Sequence, residues 1–86
     1  MEEKEVAHVQ DFYAHISVVA LKVTGDGIKT GDQLHFKGHT TDFIEDVKSI
    51  QKDHKDVGQA NSGDEIGIKI NNRVRKHDKV YKVISG

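Results

Sequence analysis

Val19-Ala20-Leu21-Lys22-Val23 sets three large apolar residues two positions apart, and Ile66-Gly67-Ile68-Lys69-Ile70 does the same. A spacing of two sends alternate side chains to opposite faces of an extended chain, whereas a helix would space its apolar face by three and four. Leu34-His35-Phe36 repeats the pattern on a shorter scale. β-Branched residues dominate the two longer runs, which suits pleated strands with one face in a core. Working outward, the alternation predicts strands near 4–12, 15–24, 32–38, 42–53, 65–71 and 79–84. Glycine-bearing turns separate them: Thr24-Gly25-Asp26-Gly27, Lys29-Thr30-Gly31-Asp32 and Asn61-Ser62-Gly63-Asp64. The stretch 51–60 has too few apolar residues for a core-facing helix and reads as the tail of a long strand followed by an irregular connection. The odd spacing of Val47 and Ile50 predicts a β-bulge near Ser49. Short strands with a turn every ten or so residues read as an all-β barrel or sandwich. A small closed six-stranded antiparallel β-barrel is the expected fold, because closure removes exposed edges.

At 86 residues and 9.6 kDa the chain has room for one small core. The expected domain is 1–86, with its core in about 6–84. Thirteen Lys and Arg against fourteen Asp and Glu leave a net charge of −1, which argues against a generic polyanion binder and a basic membrane-surface protein. The chain has no cysteine, so disulfides, thiol nucleophiles and cysteine-held metals are excluded. No apolar run is long enough to span a bilayer. Met1-Glu2-Glu3-Lys4-Glu5 is acidic and lacks the apolar core of a signal peptide. A cytoplasmic location with no membrane partner is expected.

Three segments in register carry a family resemblance: Gly27-Ile28-Lys29-Thr30-Gly31-Asp32-Gln33-Leu34, Val47-Lys48-Ser49-Ile50-Gln51-Lys52-Asp53-His54, and Ala60-Asn61-Ser62-Gly63-Asp64-Glu65-Ile66-Gly67-Ile68. In this order they resemble the second, β-barrel domain of translational GTPases of the elongation factor 1-alpha and elongation factor Tu type. The resemblance implies a barrel that packs against a GTPase domain and helps to hold the acceptor end of aminoacyl-tRNA. It also implies that Ile28 and Leu34 are candidates for lining the pocket of a terminal adenosine. The chain itself has no Gly-x-x-x-x-Gly-Lys-Ser/Thr loop and no Asn-Lys-x-Asp, so it is not expected to bind GTP.

The charge is unevenly divided. Residues 69–82 carry six basic residues and one acidic, and residues 1–68 carry seven basic and thirteen acidic. Asn71, Asn72, Arg73, Arg75 and Lys76 fall in the last inter-strand loop and are RNA-binding candidates through phosphate and sugar contacts; the alternative is an ordinary solvated loop. Among six histidines, His35 and His39 with Asp42 are the set that would suit zinc or nickel, but no helical spacing or cysteine supports a site, and neither metal nor cofactor is expected. Ser17, Ser49, Ser62 and Ser85 lie outside any Gly-x-Ser-x-Gly elbow. Glu45 and Asp46 are adjacent on a strand and so face opposite ways. No catalytic residue is assigned, and the chain is expected not to be an enzyme. The expected function is a non-catalytic, translation-factor-like barrel that associates with RNA or the ribosome. The alternative is a protein-interaction module that docks on another subunit or on itself.

Overall fold

A computed structural model describes residues 2–84; Met1 and Ser85, both named above, lie outside the described residues. The elements are β1 (Glu2–Tyr13), β2 (Val18–Val23), β3 (Ile28–Lys29), β4 (Gln33–Lys37), β5 (Asp42–Asp46), β6 (Ile50–Lys52), β7 (Lys55–Val57), β8 (Gln59–Ala60), β9 (Glu65–Lys69) and β10 (Lys79–Ile84). Eight of them form one antiparallel ladder in the order β5-β4-β10-β1-β2-β9-β6-β7, and β3 pairs with β8 in a separate ribbon. No helix among the described residues is long and apolar enough to cross a membrane.

The alternating residues do form one interior. Val19, Leu21, Val23, Leu34, Phe36, Val47, Ile66, Ile68 and Ile70 are all buried, joined by Val6, Val9, Ile28, Ile50, Val74 and Val80. The turns follow from local chemistry. In 29–32 the Asp32 carboxylate accepts the Lys29 backbone N–H at 2.9 Å, and in 61–64 Asp64 accepts that of Asn61 at 2.8 Å. Gly31 and Gly63 each sit at φ 94°, which a side chain would resist.

Three expectations need correction. The all-β antiparallel class holds, but the six-stranded closed barrel does not: β5 and β7 are the two ends of the ladder, and no strand pairing among the described residues joins them. The span 42–53 is not one bulged strand. Val47 and Ile50 are both buried, and between them the chain leaves β5, which pairs with β4, and enters β6, which pairs with β9 near the far end of the ladder. The bulges fall instead in β1, between Glu5 and Ala7 against β10 and between Val9 and Asp11 against β2. They let one twelve-residue strand bend around the core. Finally, 51–60 is not irregular: β6 and β7 make a hairpin across Asp53 and His54, whose φ values of 53° and 65° form a tight turn without glycine.

Candidate functional site

Strands β5, β4, β10 and β1 lie side by side. Their registers place Ile44, His35, Tyr81 and Glu5 in one row on the face turned away from the core. The inward neighbours Leu34, Phe36 and Val80 are buried, so alternation leaves His35 and Tyr81 on the outer side, both half-buried. His35 is the centre of this face. Its Nδ1 lies 2.7 Å from Glu3 Oε2 and its Nε2 lies 2.5 Å from Asp42 Oδ1. Both ring nitrogens can donate only when the imidazole is protonated. The Asp42 bond, with help from Glu3, raises the His35 pKa above its ordinary value even though burial opposes the charge. The same bond holds the Asp42 carboxyl below the usual range. Glu3 comes from β1 and Asp42 from β5, so the His35 ring ties together strands that have β4 and β10 between them.

β5 is also the free end of the ladder. Gly38 N–H donates to the Thr41 carbonyl, and Val47 N–H to the Asp32 carbonyl. With the register of β5 on β4, these fix the parity: Phe43 and Glu45 exchange backbone bonds with β4. The N–H and C=O groups of Asp42, Ile44 and Asp46 therefore point away from the sheet, and none has a backbone partner among the described residues. Ile44 is 47% exposed between two aspartates. On the inner side Phe43 stacks on Phe36, ring centroids 5.1 Å apart, and anchors the strand.

The other sequence-derived candidates disperse. Ile28 and Leu34 are 1% and 0% exposed and belong to the core, although Ile28 also borders an open cleft with Gly27, Ala60 and Lys82. The 70–78 loop is pinned by buried Val74 and by Asp78, whose carboxylate accepts the Arg75 N–H at 3.0 Å. Asn71 N–H and Asn72 Nδ2 both turn to Glu45 Oε1, at 2.7 and 3.4 Å. The strand thus sets an acidic group against the two asparagines meant for RNA, while Arg73, Arg75 and Lys76 are exposed. Glu45 and Asp46 do face opposite ways, since Asp46 accepts from Gln33 Nε2 at 3.2 Å. His35 has both nitrogens engaged with carboxylates and His39 is exposed. Among the described residues no group of three ligand side chains is placed to hold a metal ion. Sequence reasoning missed the β5 edge and Glu3. The run Asp42-Phe43-Ile44-Glu45-Asp46, acids around one alternating apolar pair, was the available signal for the edge.

No family model matches the chain. It is 41% identical over 78 residues to an uncharacterized protease of Methanocaldococcus jannaschii, a match that takes in 90% of this chain and 19% of that protein. The chain therefore spans about a fifth of the length of the curated relative it matches. Among solved structures it is similar to the C-terminal domain of a protein named as a U32 peptidase from Geobacillus thermoleovorans. The TM-score is 0.87 at 12% identity, covering 94% of this chain and 93% of that one. The selenomethionine variant of the same domain gives 0.83 at 11% identity, over 90% and 96%.

These findings overturn the resemblance to translational GTPases, and with it the translation-factor function and the RNA-binding role. The expectation that the chain is not an enzyme is corrected as well, since the relative is named as an uncharacterized protease and the solved domain as the C-terminal domain of a U32 peptidase, which points to association with an enzyme. The physical cause of the error lies in the motif residues. Gly31-Asp32 and Gly63-Asp64 close turns through glycine φ and aspartate acceptors. Gly67 stands where a Cβ would press on Val18 Cγ1 at 3.3 Å. Such residues report the path of the backbone and carry no chemistry of their own.

Proposed function

We propose that this chain is the β-domain of a peptidase-family protein, with the peptidase's catalytic portion as its protein partner. The observation that carries this is the 41% identity over 78 residues to the archaeal protease. A match of that level over 78 residues is longer than shared turns alone demand. The fold likeness to a peptidase C-terminal domain supports the same reading. The role it implies is presentation: a rigid sheet beside a catalytic portion can hold an extended polypeptide for cleavage, because peptide backbone pairs readily with a sheet edge. The same reading puts the chain in the cytoplasm, where a fold with no cysteine holds together by its core alone.

The test is a segment exchange. The matching segment of the Methanocaldococcus protein is replaced by residues 6–83 of this chain, and release of peptides from an unfolded protein substrate is measured. The exchanged protein is expected to keep activity within a few-fold of the parent, and the protein lacking the segment is expected to lose it. Unchanged hydrolysis without the segment would overturn the proposal.

A further inference from the structure

The β5 edge has the features of a binding site for one kind of chain. Its outward backbone groups, on Asp42, Ile44 and Asp46, are unpaired among the described residues. Exposed edges of this kind pair with any available strand unless something selects among partners. Here the selection is electrostatic and steric. Asp42 and Asp46 flank Ile44 on the outer face; the Asp42 side chain is bonded to His35 yet stays 71% exposed, and Asp46 accepts from Gln33 while remaining exposed, so both carboxylates keep oxygens open to a cation.

We infer that β5 captures an extended peptide with cationic residues on either side of an apolar one, by adding it to the sheet as an outer strand. Cross-strand neighbours on one face are close enough to interact, so Lys or Arg in the peptide sits opposite Asp42 and Asp46 while its apolar residue covers Ile44. Backbone bonds supply sequence-independent hold and the alternating side chains supply the preference. A second copy of this chain is a poor occupant: antiparallel pairing of two β5 strands about Ile44 sets Asp42 opposite Asp46 twice, and facing like charges destabilise the pair. A nucleic acid is repelled by the same carboxylates. This inference deepens the proposed peptidase reading by naming the class of polypeptide presented, and rests on it for that purpose. The binding itself is measured on this chain alone, so its failure leaves the segment-exchange result untouched.

The experiment titrates the 15N-labelled chain at low salt with a short capped peptide alternating Lys and Val. The expected result is saturable shifts of the Asp42, Ile44 and Asp46 amides. Ile44→Pro removes an outward N–H without touching the β4 ladder and should abolish those shifts. Asp46→Lys, which keeps the backbone intact, should weaken the dissociation constant about tenfold. Thermal unfolding of both variants confirms that they are folded; should Ile44→Pro prove unfolded, Asp46→Lys decides. Shifts elsewhere with none on β5 would overturn the inference. So would equal binding of a Glu–Val peptide, undiminished binding by Asp46→Lys, or concentration-dependent shifts at β5 without peptide, which would mark a second copy as the occupant.

Discussion

His35 bonds at once to two strands that do not pair with each other. Its pKa is raised, chiefly by the Asp42 bond, so its stabilising contribution is fully present below the unfolded value of about 6.5 and is lost as pH rises through the higher folded value. Thermal unfolding should therefore show a melting temperature that falls as pH rises from about 6.5 through the raised folded value in the parent, and a flatter profile in His35→Gln. Equal slopes would remove His35 from the account. Half of this arrangement was legible. Asp42 is seven residues from His35 and was noticed as a potential ligand partner, but Glu3 is 32 residues away, and only the insertion of β10 between β1 and β4 brings it near. Gly38 offers a second residue-scale test. A Cβ there would overlap the Asp78 carboxylate, which is buried and holds the Arg75 N–H. Gly38→Ala should cost roughly 1–3 kcal/mol by chemical denaturation, since the carboxylate must move and give up its bond. A loss below a few tenths of a kcal/mol would mean the loop yields freely.

Among the elements, β2, β4 and β9 were legible because their buried residues alternate without interruption. β7 and β8 were not, because Lys55-Asp56-Val57 and Gln59-Ala60 contain too few apolar residues to show a period. They are held as strands by pairing with β6 and β3. The hairpin between β6 and β7 escaped notice for a related reason: its turn uses Asp53 and His54 where glycine is the usual signal. Both residues bear positive φ, and a side chain in that region is strained by roughly 1 kcal/mol. His54→Gly should relieve the strain and, after the extra freedom it gives the unfolded chain, raise stability by about 0.5 kcal/mol. A lower melting temperature in that variant would show that the imidazole contributes more than its backbone costs.

At the scale of the whole molecule, the interior residues were read correctly and the connectivity was not. Alternation tells which face of a strand is buried, but it does not tell which strand lies beside which. The order β5-β4-β10-β1-β2-β9-β6-β7 depends on the crossing at 47–49, where Val47 and Ile50 are both buried although the spacing between them is odd. The functional assignment failed for the same reason: the motifs that were matched describe turns, and unrelated proteins make the same turns. Because Ile68 is 2% exposed on β9, paired with Val19 of β2 and Ile50 of β6, Ile68→Ala should cost about 2–5 kcal/mol with an unchanged denaturant slope. The more severe Ile68→Asp buries an unpaired carboxylate and should unfold a domain of this size. That variant gives the most direct test of the peptidase reading. In the exchanged Methanocaldococcus protein, the rate of peptide release is compared between the form carrying this chain's native sequence and the form carrying Ile68→Asp. The account predicts hydrolysis by the first and at least a tenfold lower rate from the second (roughly 1.4 kcal/mol in barrier), with the remainder of the protein still folded. Equal rates from the two would contradict it.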